Sequence, residues 1–266
     1  MYDVDAYLAH LGHSGPVEPT VGTLRSLHKK HLMTVPFDNS VNAERGDYIW
    51  DYVEIDVDQA FDSLIRGGGG GTCFELSGLF RRLLTDLGYQ VDILAAGVRG
   101  PDGGFGPDLE HLFTGVHIDG SVWLADVGFA GPSFIEPVRV DAEPQDQYGC
   151  SYRVVTHPQD ERYLVLERRA IGTDWQPVYR FRLRPRTLAE WKRDPSQSEV
   201  LNPEWNWAGE LVSNTTVIRS RAFDTGQIML VGRRCLTVDN GREEFKVLVK
   251  REDYDATVGT ILRQAV

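Results

Sequence analysis

The sequence predicts an α+β protein, and three features of its hydrophobic pattern support this. Up to about residue 88 the apolar residues recur at helical spacing. From Val91 onward they form short runs separated by turn residues, and residues 254–266 return to helical spacing. A helical beginning, a β-rich middle and a mixed end are typical of the α+β class. The 266 residues, of which 41% are hydrophobic, are sufficient for a large core in one to three domains.

The N-terminal region contains three predicted helices, with Pro36-Phe37-Asp38-Asn39 as a break after the first. The first two have apolar positions at Leu24, Leu27, His28 and His31, and at Val57, Ala60, Phe61, Leu64 and Ile65. The third begins at Cys73 and has its apolar positions at Leu76, Leu79, Phe80, Leu83, Leu84 and Leu87. Gly88 is placed to end it.

The middle of the chain predicts a β-hairpin. Asp119-Gly120 separates two apolar runs at residues 111–118 and 121–129, and this dipeptide is a strong hairpin signal. Further strands are predicted at residues 91–98, 153–155, 163–168, 177–183, 228–231 and 235–238, with Asn240-Gly241 as another turn.

A cysteine stands where a glycine run becomes a helix. Five glycines and Thr72 lead directly into Cys73. Backbone N–H groups and the helix dipole favour the thiolate at such a position, and the thiolate is the nucleophile. The alternative is a small buried apolar side chain. Cys73, Cys150 and Cys235 are an odd number at wide spacing, which predicts neither a disulfide framework nor a zinc site. We therefore expect no metal in the reaction and full activity after chelation.

The hairpin register brings a histidine and an aspartate together. If Asp119 and Gly120 form the turn, Phe113 lies opposite Asp126, and His111 shares a face with both. His111 and Asp126 are then diagonal neighbours, roughly 7–8 Å apart at Cα. Such a pair activates a nucleophile brought to the free imidazole nitrogen, and Cys73 is the candidate. A purely structural His–Asp pair is the alternative.

Other motifs have simpler interpretations. His117 lies opposite Val122, without a carboxylate across the hairpin, and most of the other histidines are expected at the surface: His10, His13, His28, His31 and His157. The glycine run lacks the Gly-Lys-Ser/Thr ending of a P-loop and the preceding strand of a dinucleotide fold. Asp102 and Asp108 match no calcium loop. The arginines at 180, 182 and 184 alternate with apolar residues, which predicts either a solvated strand face or a docking patch for phosphates or an acidic carrier protein.

The overall charge narrows the class of partners. A net charge of −11 argues against binding to nucleic acid or to an anionic membrane surface. The chain opens with an acidic segment rather than a signal peptide, and no apolar stretch reaches spanning length. A cytoplasmic enzyme acting on small molecules is therefore expected.

Several of these motifs together resemble the arylamine N-acetyltransferases. The resemblance rests on Gly70-Gly71-Thr72-Cys73-Phe74-Glu75, on His111, on Asp126-Val127-Gly128-Phe129-Ala130 and on Pro36-Phe37-Asp38-Asn39. Tyr7-Leu8, Gly12, Thr23-Leu24 and His31 match the family's opening pattern, so the similarity covers residues 1 to about 140.

This resemblance implies three domains: a helical bundle (1–88), a β-barrel (89–186) and an α/β lid (187–266). It implies a Cys73–His111–Asp126 triad and ping-pong transfer of an acetyl group from acetyl-CoA, as co-substrate, to an arylamine, arylhydrazine or N-hydroxyarylamine. No cofactor would be bound permanently. The acceptor pocket would be formed by Phe37, Phe129 and Phe223. The CoA site would be formed by Gly128, Ala130, Gly131 and Ser133.

The chain also departs from the family pattern. Arg66 lies seven residues before Cys73, and the family's arginine aligns with Gly69, so the family's ion pair with Asp38 is not expected from that position. Ser77 replaces an Asn, and Glu110 stands where Thr is common. Asn214-Thr215-Thr216 and Phe223 match the lid motif only loosely.

These departures leave the substrate open. The glycine run predicts a looser entrance above Cys73 and tolerance of acyl groups longer than acetyl; the alternative is an ordinary acetyltransferase with a harmless insertion. An amide synthase that takes an acyl chain from a carrier-protein thioester is the second functional hypothesis. A binding module with a degenerate site and a cysteine peptidase are further alternatives.

Overall fold

The computed structural model describes residues 1–40, 56–100, 102–191 and 216–262. Within these ranges the α-helices are α1 (Val4–His10), α2 (Val21–Thr34), α3 (Val57–Phe61), α4 (Cys73–Asp86) and α5 (Arg251–Leu262). α3 continues into a π-helical turn at Asp62–Arg66, and a 3-10 turn lies at Leu188–Trp191. Of the described helices, none has both the length and the apolar composition needed to cross a membrane.

The N-terminal helices pack around one apolar core, to which α1, α2, α3 and α4 all contribute. Most of the apolar stripe of α4, which runs on to Leu87, is fully buried, and only Leu87 is partly exposed; the buried members are Leu76, Leu79, Phe80, Leu83 and Leu84. The predicted stop at Gly88 is confirmed by its φ of +87°, a left-handed conformation that suits glycine.

The strands of the described residues form two antiparallel sheets. They are β1 (Phe37–Asp38), β2 (Gln90–Val98), β3 (His111–Ile118), β4 (Ser121–Ala125), β5 (Val138–Arg139), β6 (Gln145–Gln147), β7 (Cys150–Thr156), β8 (Leu164–Arg169), β9 (Gln176–Phe181), β10 (Ile218–Phe223), β11 (Gly226–Val231), β12 (Arg234–Asp239) and β13 (Arg242–Val247).

The larger sheet is a nearly closed barrel of eight strands in the order β5-β4-β3-β2-β9-β8-β7-β6. Its two edges meet through the Arg139 N–H, which donates to Gln145 Oε1 at 2.8 Å, and the Val154 N–H, which donates to the Asp141 carbonyl at 2.8 Å. Large side chains fill the interior, including Phe113, Leu124, Tyr152, Leu166, Tyr179 and Phe181.

The smaller sheet has the order β1-β10-β11-β12-β13, with α5 packed against it through Ile261. Its first strand comes from the N-terminal half of the chain: Phe37 pairs with Ser220 and Asp38 with Arg219. The C-terminal sheet is therefore joined directly to the segment between α2 and α3.

A buried arginine strengthens this junction. Arg221 on β10 donates from Nε to the Met33 carbonyl at 2.6 Å and from Nη1 to the Ile261 carbonyl at 3.2 Å. These acceptors lie near the C-terminal ends of α2 and α5, where a cation is favourable. One side chain thus links two helices to the sheet.

The predicted fold class is confirmed, and the predicted hairpin is confirmed in its register. Ile118 pairs with Ser121 and Thr114 with Ala125, as the two-residue turn requires. Both Asp119 and Gly120 have positive φ, 49° and 74°, as does the second predicted turn at Asn240 and Gly241 (47° and 74°).

Other elements differ from the prediction. The strand predicted over residues 121–129 ends at Ala125, which frees Asp126 and the following residues for the site. β10 and β13 were not predicted. β13 is exposed along its whole length and mostly charged, so it shows no apolar alternation. The division into domains at residues 88 and 186 stays a prediction, and Asn214 and Thr215 of the proposed lid motif lie outside the described residues.

Candidate active site

Cys73 is the first residue of α4, as predicted. The helix start is fixed by Glu75, whose Oε2 accepts a hydrogen bond from the Thr72 N–H at 3.0 Å. The last glycine before it is held by the segment that contains β1: the Gly71 N–H donates to the Pro36 carbonyl at 3.2 Å, and the Gly71 carbonyl accepts from the Asp38 N–H at 3.0 Å. The backbone that leads into Cys73 is therefore anchored on both sides.

The rest of the glycine run is also ordered by backbone contacts. Gly67 and Gly69 donate to the carbonyls of Asp62 and Ser63 at 2.9 and 3.1 Å, so the run folds back on the π-helical turn. A Cβ at Gly70 would lie 2.7 Å from Asp38 Cβ, which explains a glycine at this close approach. The run is a packed connection, and it gives no support to a looser entrance above Cys73.

His111 and Asp126 form the predicted pair. His111 Nε2 donates to Asp126 Oδ2 at 2.8 Å, and the two side chains are 5% and 0% exposed. Burial lowers the pKa of His111, but the Asp126 carboxylate and, less strongly, the Cys73 side chain raise it to about 10. The imidazole is therefore held in the imidazolium form at neutral pH.

Asp126 is itself fixed on two sides. Its Oδ1 accepts a hydrogen bond from the Gly128 N–H at 3.1 Å, while its own N–H donates to His28 Nε2 at 3.0 Å. His28 Nδ1 donates in turn to the Ile135 carbonyl at 3.0 Å, so this ring must be neutral. Burial lowers its pKa, which agrees with that assignment.

The expectation that most of the remaining histidines lie at the surface is wrong for His28 and His31, which are fully buried. Both face the helical core because they occupy the apolar positions of α2. His31 Nδ1 bonds to the Tyr7 hydroxyl at 2.7 Å, and burial, followed by the nearby His28 and His10, lowers the pKa of His31 to about 3.

A close backbone approach brings Cys73 to the His–Asp pair. A Cβ added to Gly128 would lie 2.6 Å from Cys73 Cα and 3.0 Å from Ser77 Oγ, so only glycine fits between α4 and the loop after Asp126. Ser77 Oγ donates to the Leu112 carbonyl at 3.2 Å, which ties α4 to the strand that carries His111.

Cys73 and His111 open onto one mainly apolar cavity. Among the described residues its lining comprises Phe37, Asn39, Thr72, Cys73, Val98, Glu110, His111, Gly128, Phe129, Ala130, Gly131 and Ile218. The aromatic rings of Phe113, Phe129 and Tyr179 surround the His111 imidazole with centroid distances of 5.9, 5.3 and 5.8 Å.

Most of the predicted substrate-contacting residues belong to this lining, but two do not. Phe223 lies at the end of β10, beside Gly226. Ser133 is buried, and its carbonyl accepts hydrogen bonds from the Tyr152 hydroxyl at 2.8 Å and from Gln227 Nε2 at 2.7 Å. The roles of Phe223 in acceptor binding and of Ser133 in CoA binding stay predictions, and the lining of the cavity does not support them.

Asp38 has an arginine partner that the family pattern did not predict. Arg219 Nε lies 3.3 Å from Asp38 Oδ2, and the two residues are paired across β1 and β10. Position 69 is a glycine, but an arginine from a distant strand neutralises the buried carboxylate. A contact between such distant segments leaves no local signal in the sequence.

Two polar lining residues were also missed as site residues. Asn39 Oδ1 accepts from the Ile218 N–H at 2.7 Å and its Nδ2 donates to the Thr216 carbonyl at 3.1 Å, so Asn39 fixes the start of β10 at the cavity. Glu110 is 4% exposed, and burial raises its pKa to about 7, although the Val98 N–H and His111 oppose the shift.

Four arginines, at positions 180, 182, 184 and 186, form an arginine strip on and after β9, and Arg180 pairs with Gly97, the neighbour of the lining residue Val98. Arg180, Arg182 and Arg186 each approach the Asp108 carboxylate to 3.8 Å, and Arg182 donates to the Tyr163 hydroxyl at 2.6 Å. The strip is thus partly neutralised rather than simply solvated.

No cluster of three or more metal-ligating side chains occurs among the described residues. The groups gathered at the cavity instead suit covalent chemistry at sulfur. A cysteine at a helix N-terminus beside a buried His–Asp pair defines a cysteine enzyme that transfers or hydrolyses acyl groups.

Comparison with known proteins identifies the family. A sequence model described as N-acetyltransferase matches residues 20–265. The chain is 37% identical to proansamycin X synthase of Amycolatopsis mediterranei over 98% of its own length and 97% of that protein. It is 32% identical to arylamine N-acetyltransferase of Escherichia coli over 66% of its own length and 60% of that enzyme. The chain belongs to the arylamine N-acetyltransferase family and is an acyltransferase of that family.

The solved structures agree with this fold. The chain matches the arylamine N-acetyltransferase of Mycobacterium marinum in complex with CoA with a TM-score of 0.79 and 25% identity. The match covers 98% of this chain and 93% of that one.

Proposed function

We propose that this protein is an amide synthase that accepts an acyl chain from a thioester, holds it on Cys73 and transfers it to an amine. The observation that carries this choice is the 37% identity to proansamycin X synthase, which extends over 98% of this chain. The match to the E. coli acetyltransferase is lower in identity and covers 66% of this chain. A relative named for the synthesis of one product favours a biosynthetic role over general acetylation.

The first half-reaction would use the Cys73–His111–Asp126 set. The Cys73 thiolate attacks the carbonyl carbon of the donor thioester, and the bond from that carbon to the donor sulfur breaks. His111, an imidazolium because its pKa is raised to about 10, gives its proton to the departing thiolate. The products are the donor thiol, a neutral imidazole and an acyl-Cys73 thioester.

In the second half-reaction the amine nitrogen attacks the acyl-Cys73 carbonyl. His111 takes one proton from the amine, the bond to the Cys73 sulfur breaks, and the amide leaves. The thiolate and the imidazolium are then restored. Asp126 keeps the ring in the orientation that serves both steps, through the 2.8 Å hydrogen bond to Nε2.

CoA is a suitable donor because a relative's solved structure contains it. Gly128, Ala130 and Gly131 line the cavity beside Cys73, which supports a role for this segment at the donor. In this proposal a carrier-protein thioester is the alternative donor for a longer chain.

The arginine strip supports the carrier as donor. Arg180, Arg182, Arg184 and Arg186 share the carboxylates of Asp108 and Glu190, which leaves positive charge for an acidic partner. Changing both Arg180 and Arg182 to Glu is expected to raise the KM for an acyl carrier protein about 10-fold and to leave the KM for the matching CoA thioester nearly unchanged. Arg169→Glu, on neighbouring β8, is the control. Equal effects of the double change on both donors, or none, would contradict carrier docking here.

The function is tested by intact mass spectrometry without an acceptor. The protein is mixed with acetyl-CoA, with octanoyl-CoA, or with an octanoyl carrier protein. We expect one octanoyl group on Cys73, formed at least as fast as the acetyl adduct, and its loss when a primary aromatic amine is added. Cys73→Ser should form no such thioester, whereas Cys150→Ser and Cys235→Ser should.

The other outcomes are equally informative. An adduct on Cys150 or Cys235 would refute the assignment of the nucleophile. Strong preference for acetyl over both octanoyl donors would instead assign the protein as an arylamine N-acetyltransferase, the function that the E. coli relative favours.

A further inference from the structure

A second carboxylate lines the cavity of Cys73 and His111. Glu110 is 4% exposed, and its Oε2 accepts a hydrogen bond from the Val98 N–H at 2.8 Å. Its Oε1 is buried and has no hydrogen-bond partner among the residues that the structure describes. The proposed mechanism leaves this oxygen unused.

An unpaired buried carboxylate oxygen is unfavourable, because it has lost its water and gained nothing in exchange. The cost is relieved when a ligand in the cavity donates a hydrogen bond to it. Phe37 and Phe129, which share the lining, offer only apolar surface to that molecule.

The amine of the proposed reaction has two N–H bonds if it is primary. One proton passes to His111 as the amide forms, and the other remains on the nitrogen. Glu110 directly precedes His111 and belongs to the lining of the same cavity, so its side chain is a neighbour of the reacting centre.

We propose that Glu110 Oε1 accepts a hydrogen bond from the second N–H of the acceptor amine and thereby restricts the enzyme to primary amines. This inference rests on the proposed function, since it concerns the second half-reaction of the same site. Glu110 orients the nitrogen lone pair toward the acyl-Cys73 carbonyl and takes no proton. A secondary amine carries its single N–H to His111 and leaves Oε1 unpaired.

Glu110→Gln is a sharp test because it nearly preserves the shape. The Val98 N–H requires an acceptor, so the single amide oxygen of Gln stays with Val98. The NH2 group then replaces Oε1 and presents donors to the amine. Glu167→Gln is the matched control. It changes a half-buried carboxylate on β8 that is paired with Arg153 of β7.

The measurement is single-turnover aminolysis of preformed acyl-Cys73 by aniline and by N-methylaniline at pH 8.5, where Glu110, with its pKa raised to about 7, is a carboxylate. For the wild type, aniline is expected to react at least about 10-fold faster, the discrimination that a hydrogen bond to a charged group provides. Because the ratio compares two amines on the same preformed acyl-Cys73, Glu110→Gln should lower it about 10-fold or more, whatever rate of acylation the variant shows. Glu167→Gln should change neither quantity.

Two results would overturn the inference. One is a wild-type ratio near one, which needs no variant and so remains decisive if Glu110→Gln does not fold. The other is a folded Glu110→Gln protein with an unchanged ratio. Failure of the wild type to form acyl-Cys73 at all would refute the proposed function itself, and the two failures are thereby distinguished.

Discussion

Strand β3 carries two histidines, each paired with an aspartate of another segment at nearly the same distance but in different surroundings. His111 Nε2 lies 2.8 Å from Asp126, and His117 Nε2 lies 2.7 Å from Asp92 on β2. The side chains of the first pair are 5% and 0% exposed, whereas those of the second are 34% and 29% exposed. Only the first pair adjoins the cavity of Cys73 among the described residues.

Hydrogen-bond distance alone therefore does not define a site. What separates the two pairs is the low-dielectric environment, the anchoring of Asp126 by Gly128 and His28, and the sulfur beside the ring. At the half-exposed pair, water competes for the same hydrogen bonds and screens the charges.

The largest effect is expected from a substitution that breaks the His111–Asp126 pair and leaves the His117–Asp92 pair intact. Asp126→Asn removes the carboxylate that orients and charges His111, so acylation of Cys73 should fall about 10⁴-fold, as in other triads with a wrong tautomer. Asp92→Asn, the matched change at the other pair, should keep the wild-type rate. Both acylation rates are measured by quenching the reactions at a series of times and analysing the protein by intact mass spectrometry. A folded Asp126→Asn protein with near-normal acylation would mean that the two pairs are equally structural.

The next effect concerns the approach of sulfur to the pair. Gly128→Ala places a Cβ 2.6 Å from Cys73 Cα, so α4 and the loop after Asp126 must separate. We expect acylation to fall about 100-fold, and the free energy of unfolding to fall by about 1–3 kcal/mol. Gly22→Ala on α2, where the added Cβ would meet only Thr20 Oγ1 at 3.8 Å, controls for the loss of a glycine. Equal acylation rates for the two variants would show that the close approach is unimportant.

The third effect concerns the support behind Asp126. His28→Gln removes the ring that joins the Asp126 N–H to the Ile135 carbonyl, and should lower stability at pH 7 by about 2 kcal/mol. The pKa of His28 is lowered in the folded state, so below pH 6.5 the unfolded state binds a proton that the folded state does not. The stability that the neutral, buried His28 contributes is therefore lost as the pH falls below 6.5.

Below pH 6.5 the free energy of unfolding of the variant should depend less steeply on pH, because Gln does not titrate. The slope should be smaller than that of the wild type by up to about 1.4 kcal/mol per pH unit. Urea unfolding at pH 5, 6, 7 and 8 measures both quantities. Identical slopes below pH 6.5 for wild type and variant would contradict a neutral, buried His28.

The smallest effect belongs to the half-exposed pair. Asp92→Asn should change the free energy of unfolding by less than about 1 kcal/mol at pH 6, and the difference should shrink in 1 M salt. Urea unfolding at low and high salt is the measurement. A loss of several kcal/mol that salt does not reduce would show that this pair is more deeply coupled to the fold than its exposure indicates.

The first pair was predictable because its geometry is local. Two residues of positive φ fix the hairpin, and the hairpin fixes which side chains face each other, so His111 and Asp126 follow from the sequence. The helix that begins at Cys73 is equally local, since its apolar spacing and its capping glutamate lie within a few turns.

The remaining contacts join segments that are far apart in sequence. Asp92 was missed because only the hairpin side of β3 was considered, and β2 lies on the other side. The bond from the Asp126 N–H to His28 and the ion pair of Arg219 with Asp38 depend on how helices and sheets pack, which no spacing rule encodes. Glu110 looked like a simple departure from the family pattern because its burial is visible only in three dimensions.

The pairing of β1 with β10 has a consequence for biosynthesis on the ribosome. Ile218, at the start of β10, lines the cavity beside Cys73, and Arg219 neutralises Asp38 behind it. Cys73, His111 and Asp126, the proposed reactive residues, all emerge long before the strand that completes their pocket. A nascent chain therefore carries the full reactive set without a finished chamber, and substrate capture waits for the last quarter of translation.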